Sequence, residues 1–135
     1  MNYIILLIMI LTSAAHTKVS TCVKLQPGKY IALFDKQFQD RYETFQIIIG
    51  DTTASRKVGY LTDVYKIQKV SECNYRFTLP QNADTSESTT LAKQFASVGQ
   101  PYFDVYQINS DTLHFVYRIN LHIMISSGKF ILNNR

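Results

Sequence analysis

Three histidines, two cysteines and ten carboxylates are the side chains of this 135-residue chain best suited to holding a metal or reacting. His16, His114 and His122 raise a copper site first. A chain beginning at His16 would offer its α-amino group and imidazole as a bidentate chelating end, and His114 and His122 share a face with Val116, Arg118 and Met124 if the stretch is extended. The two are about 27 Å apart at 3.4 Å per residue, so they reach one ion only if the chain folds back at Asn120. The expectation is two solvent-facing histidines, no metal site and no cofactor.

Catalytic patterns fare no better. There is no Gly-x-Ser-x-Gly elbow, and no cysteine is left over to pair with a histidine if the two bridge. The carboxylates Asp35, Asp40, Glu43, Asp51, Asp63 and Asp104 would sit in turns and strands of any β-protein. VGY, VGQ and SSGK hold isolated glycines rather than a phosphate-cradling loop. The reading is of a protein that is not an enzyme. Cys22 and Cys73 lack both the ligand number of a zinc site and the Cys-x-x-Cys spacing of a redox site. An even pair in an oxidising compartment bridges, which makes a structural disulfide the expectation.

The compartment follows from MNYIILLIMILTSAA, an apolar run from Tyr3 to Leu11 followed by small residues, with no charged side chain before Lys18. The run is shorter than the roughly 20 residues that cross a bilayer, and Ser13 and Ala15 suit a small-x-small cleavage site. Residues 1–15 read as a signal peptide and 16–135 as one mature domain, secreted or periplasmic, with no transmembrane segment. Cleavage after Ala14 satisfies nearly the same rule. About 120 residues suffice for one ordinary core. The net charge of +4 is carried by scattered residues, with Arg56-Lys57 the only adjacent basic pair, so there is no phosphate-tracking stripe and nucleic acid is not expected as a partner.

These side chains must be positioned mostly by strands, because apolar residues recur at period two between turn signals. QPGKYIALF starts a strand at Lys29 that runs to Phe34, and ETFQIIIGD alternates Phe45, Ile47 and Ile49 before the polar turn GDTTAS. KVGYLTDVYKIQ supplies one or two strands, and KVSECNYRFTL places Cys73, Tyr75, Phe77 and Leu79 in one buried row. Gln81–Thr90 is polar and too poor in apolar side chains to order, and Leu91, Phe95 and Val98 mark a short helix capped by Ser88 and stopped at Gly99. YFDVYQI, TLHFVYRINLHIMI and GKFIL read as three further strands separated by NSD and SSG turns. Ile31, Phe34, Phe38, Tyr42 and Phe45 also recur at helical spacing, but Pro-Gly before them and FQIII after them favour strand, loop, strand.

The order Cys22, GKY, LFDKQF and YKIQKVSECNYRFTL resembles small exported lipocalin-like proteins of Bacteroidetes, in which a second cysteine lies in an Ile-x-Trp-x-x-x-Cys-x-Tyr-x-Leu strand. Ile67, Cys73, Tyr75 and Phe77 match that strand, with Lys69 at the tryptophan position. The resemblance spans Cys22 to Ile125 and implies a mostly β fold. The resemblance implies an antiparallel meander curled into a small lipocalin-like barrel, incomplete or closed, and no reaction, to which the residues themselves add one disulfide and one short helix. In such a barrel Phe34, Phe45, Ile47, Tyr75, Phe77, Tyr106, Phe115 and Tyr117 would point inward and line a site for a small apolar ligand, or simply fill the interior. A monomeric binding module is therefore expected, with a protein-interaction module, such as a secreted inhibitor or envelope-associated factor, as the alternative. Gln81–Thr90 would lie at the rim.

Overall fold

A computed structural model describes Cys22, residues 24–79 and residues 99–134. The expected signal peptide, His16, the expected loop at Gln81–Thr90 and the expected helix at Leu91–Val98 all lie outside the described residues.

Among the described residues the alternation is realised as eight antiparallel strands. They are β1 (Gly28–Phe34), β2 (Gln46–Ile49), β3 (Thr53–Val58), β4 (Leu61–Lys69), β5 (Asn74–Thr78), β6 (Tyr102–Gln107), β7 (Thr112–Arg118) and β8 (Met124–Leu132). Each pairs with the next, and β8 returns to β1 from Tyr30↔Leu132 to Phe34↔Gly128, so the meander closes into a barrel. Closure removes both sheet edges, which would otherwise present unpaired backbone groups. Inward rows come from Tyr30, Ala32 and Phe34 of β1, Ile47 and Ile49 of β2, and Tyr75 and Phe77 of β5. Phe103, Val105, Leu113, Phe115 and Phe130 complete the filled middle, with Phe115 stacked on Phe130 at 4.4 Å between centroids.

Antiparallel order divides the connections between two ends. At the lower end lie the β2–β3, β4–β5 and β6–β7 turns and the segment before β1, and at the upper end the long β1–β2 loop and the β3–β4 and β7–β8 turns. The lower end is closed. Leu25 is buried there, its N–H donates to the Tyr75 hydroxyl at 3.4 Å, and the Tyr30 hydroxyl donates to the Gln26 carbonyl at 2.8 Å. Cys22 bridges to Cys73 across a Cα separation of 5.4 Å, tying this segment to the β4–β5 turn.

Four local expectations are corrected. Cys73 stands before β5 rather than in its buried row, because Val70 donates to the Asn74 carbonyl at 2.9 Å and folds residues 70–73 into the turn. The GDTTAS turn is shorter than expected: Gly50 donates to Thr53 at 2.8 Å, and Thr53 already opens β3. TLHFVYRINLHIMI is two strands, since the Asn120 side chain accepts the N–H groups of His122 and Ile123, both at 2.9 Å, and turns the chain there. SSG is then strand rather than turn. Gly128 is glycine because β8 crosses β1 so closely that a Cβ would overlap the Leu33 carbonyl and the Phe115 ring.

Over residues 30–45 strand, loop, strand holds, with a single 3-10 turn at Lys36–Phe38. The helix-like spacing has a different origin: the loop folds its rings back on the barrel, with Phe34 5.3 Å from Tyr42 and 5.9 Å from Phe45 between centroids. Asp35 fastens it to β8 by donating its N–H to the Ser127 carbonyl at 2.9 Å and accepting the Ser127 hydroxyl.

Candidate functional site

The β3–β4 hairpin builds the one charged pair inside the barrel among the described residues. Gly59, with φ of 61°, occupies the left-handed conformation that the two-residue turn needs, and the turn sets Val58 opposite Leu61. Counting down the ladder from there puts Arg56 opposite Asp63, both on the inward row that also holds Ala54 and Tyr65. The Arg56 guanidinium donates to the Asp63 carboxylate at 2.5 Å, and their side chains are 5% and 0% exposed. Four rings surround the cation: its central carbon is 5.1 Å from the Tyr117 centroid, 5.5 Å from Phe45, 5.6 Å from Phe103 and 5.7 Å from Tyr65. The geometry combines a compensated ion pair with cation–π contacts at a buried position.

Burial alone would lower the affinity of Arg56 for its proton, but Tyr65, Tyr117 and Asp63 together more than reverse this, so it stays charged. Burial pushes the Tyr65 and Tyr117 phenols up, while Arg56 pulls each the other way. Tyr65 also donates to Asp63 at 3.4 Å. The Tyr117 hydroxyl, close to both Arg56 and Tyr65, is buried and makes no hydrogen bond of ordinary geometry.

Above this floor the upper end of the barrel holds a cavity of about 270 Å³, walled by Phe34, Phe45, Val58, Leu61, Phe103 and Tyr117, with Arg41, Tyr42, Glu43, Arg56 and Ser126 at its rim and base. A wider hollow of about 760 Å³ lies along the β1–β2 loop, but apart from Leu33 and Phe34 its walls are loop residues from Gln39 to Thr44, so it belongs to the loop rather than the barrel.

Three of the eight expected lining residues, Phe34, Phe45 and Tyr117, do line the cavity. Ile47, Phe77 and Phe115 are buried in the filled middle, and Tyr75 serves the lower closure. Tyr106 is a correction: Val105 takes the inward position in β6, so Tyr106 faces outward, 36% exposed, with its ring 6.3 Å from His114. Phe103, two residues before Val105, is the inward ring on that strand. Arg56, Asp63 and Tyr65 were missed, although their signal was present: Arg56 follows Ala54 by two, and Asp63 is its mirror position across Gly59-Tyr60.

The histidines are not brought together. The chain does turn at Asn120, but His114 lies down β7 from Arg118 by about 13 Å at 3.3 Å per residue, while His122 is in the turn itself. No cluster of three or more His, Cys, Asp or Glu side chains able to hold a metal occurs among the described residues.

The phenols carry a pH prediction. Tyr30, Tyr65 and Tyr117 all have folded-state values raised above the ordinary 10, chiefly by burial. A raised value means that each contributes stability in full below the unfolded-state value and loses it as pH rises through the folded one. Absorbance at 295 nm should therefore show a late ionisation step above pH 10 that coincides with loss of the barrel's circular dichroism. Ionisation of every tyrosine with the barrel signal intact would contradict the burial of these three.

No protein-family model, no curated protein and no solved structure matches this chain.

Proposed function

We propose that this protein is an exported binding module, one of the lipocalin-like proteins its motifs resemble, that takes a small apolar ligand into the upper cavity and catalyses no reaction. The observation that carries this is the cavity of about 270 Å³ with aromatic walls inside a barrel closed at its other end. Its size is near the small end of ligand sites, and its walls offer the predominantly apolar, preformed surface such sites use. Export is supported by the apolar leader-like run in the sequence and by the Cys22–Cys73 bridge, which fits an oxidising compartment. No helix among the described residues is long and apolar enough to cross a membrane.

A second reading, a protein partner seated on the barrel rim, is favoured by Tyr60 at 93% exposure and Leu121 at 72%. These tips stand on the β3–β4 and β7–β8 turns, four strands apart in the barrel and so on opposite sides of the cavity mouth. Native mass spectrometry of protein purified from its own source distinguishes the two. A stoichiometric adduct of small-molecule mass supports the ligand reading, a co-purifying polypeptide supports the rim reading, and a bare chain that also takes up no added apolar probe counts against the first.

A further inference from the structure

The outer wall of the barrel over β8, β1, β2 and β3 carries an apolar cluster ringed by lysines, and we infer that it docks an acidic amphipathic helix of another protein. This surface is separate from the upper cavity, so the inference does not rest on a ligand inside the barrel.

Ile31, Leu33 and Ile48 project outward from β1 and β2 and are 37%, 48% and 47% exposed. The register draws them together. Ile31 faces Ile131 of β8 on one side and Gln46 of β2 on the other, with Leu33 two residues along β1 and Ile48 two residues along β2. Neighbours of this kind lie about 5–8 Å apart. The exposed aliphatic surface is therefore contiguous, which marks an interaction site where single exposed residues would not.

Lysines flank the cluster. Lys129 stands across the β1–β8 ladder from Leu33, Lys29 across β1–β2 from Ile48, and Lys57 across β2–β3 from Gln46. All three are exposed, and among the described residues none forms an ion pair. β1, β2, β3 and β8 contain no aspartate or glutamate, and the nearest acidic residues along the chain, Asp35 and Asp51, belong to connections at the two ends. An apolar centre inside a rim of one sign complements a partner whose apolar centre is rimmed by the other.

Closure of the barrel narrows the partner. Every strand is paired on both sides, so no edge can accept an added strand and recognition must come through side chains. A helix laid over β1 and β2 meets Ile31, Leu33 and Ile48 with an aliphatic seam and the lysines with glutamates or aspartates on its flanks. A second copy of this chain would set lysines against lysines. A lipid surface fits less well, because the aromatic residues of these strands, Tyr30, Phe34 and Phe130, all point inward, whereas membrane-facing sites concentrate tryptophan and tyrosine. Lys129 and Lys57 also stand three strands apart round a barrel of eight, so a plane laid on β1 meets neither head-on.

The test titrates the disulfide-intact mature protein into a fluorescein-labelled helical peptide with a leucine seam flanked by glutamates, and into the same peptide with lysine at every glutamate, read by anisotropy. The glutamate peptide should bind at least about tenfold more tightly, and added salt should weaken it. Leu33→Ser should weaken it about 3- to 10-fold through lost apolar burial. Lys57→Glu with Lys129→Glu should reverse the preference between the two peptides. These side chains face outward, so the variants should keep the fold, which circular dichroism checks; if one does not, the order of the two peptides on the unaltered protein still decides. Equal binding of the peptides, a preference that survives the paired lysine reversal, or binding of neither overturns the inference. So does dimerisation in ultracentrifugation that Leu33→Ser abolishes, or pelleting with phosphatidylcholine–phosphatidylglycerol vesicles by a protein that ignores the glutamate peptide. None of these results bears on a ligand in the upper cavity.

Discussion

Replacing Asp63 with leucine is expected to destabilise the barrel by about 3–5 kcal/mol, because it leaves the Arg56 guanidinium buried without its counter-charge. Arg56→Met should cost a similar amount by stranding the carboxylate. The double variant Arg56→Met with Asp63→Leu removes both charges, and replacing a buried pair by apolar residues of similar volume is often neutral or stabilising. Urea titrations of the four proteins form a double-mutant cycle in which the second substitution should recover most of what the first lost. Additive losses would mean that the two side chains act separately, which the 2.5 Å contact and the four enclosing rings do not allow. If the double variant is stable, the pair is not retained for stability, and its place beside the cavity becomes the more direct explanation for its presence.

Breaking the Cys22–Cys73 bridge is the second large effect expected. The cysteines are 51 positions apart, and the chain-entropy model values closure of a loop of that length at about 4 kcal/mol. In a domain of this size such a loss lowers Tm by on the order of 15 °C. The bridge holds the lower closure, so the Leu25 contact and its bond to Tyr75 should loosen with it. Thermal melts with and without reductant, together with the Cys22→Ser, Cys73→Ser double variant, measure the effect. An unchanged Tm on full reduction would show that the lower end is held without the disulfide.

The barrel was legible in the sequence because a strand that buries one face must alternate, and Tyr75-x-Phe77-x-Leu79 or Tyr30-x-Ala32-x-Phe34 can alternate in only one sense. Closure was not legible from any one strand, since it depends on β8 finding β1 across the whole chain, and the decisive residue, Gly128, reads locally as a turn. The rings at Phe34, Phe38, Tyr42 and Phe45 mimic helical periodicity because a folded loop and a helix both gather side chains three or four residues apart. Tyr106 illustrates the limit of aromatic content as a guide: in YFDVYQI two registers are open, and Asp104 faces outward to meet Arg76 and Arg118, at 2.8 and 3.4 Å, which sends Phe103 and Val105 inward and Tyr106 out. The Arg56–Asp63 pair escaped notice because charges in strands ordinarily mark the solvent face. Their inward placement follows only once Gly59-Tyr60 is taken as the turn that sets the ladder.

Nuclear magnetic resonance of the isotope-labelled mature protein titrated with propylbenzene tests the ligand site most directly. Shifts should concentrate on Phe45, Arg56, Val58, Leu61, Phe103 and Ser126 around the upper cavity, while Leu25, Tyr75 and Leu113 at the closed lower end stay still. Shifts confined to the outer-face residues Ile31, Leu33, Ile48 and Val64, or no shifts at all, would contradict a ligand held inside the barrel.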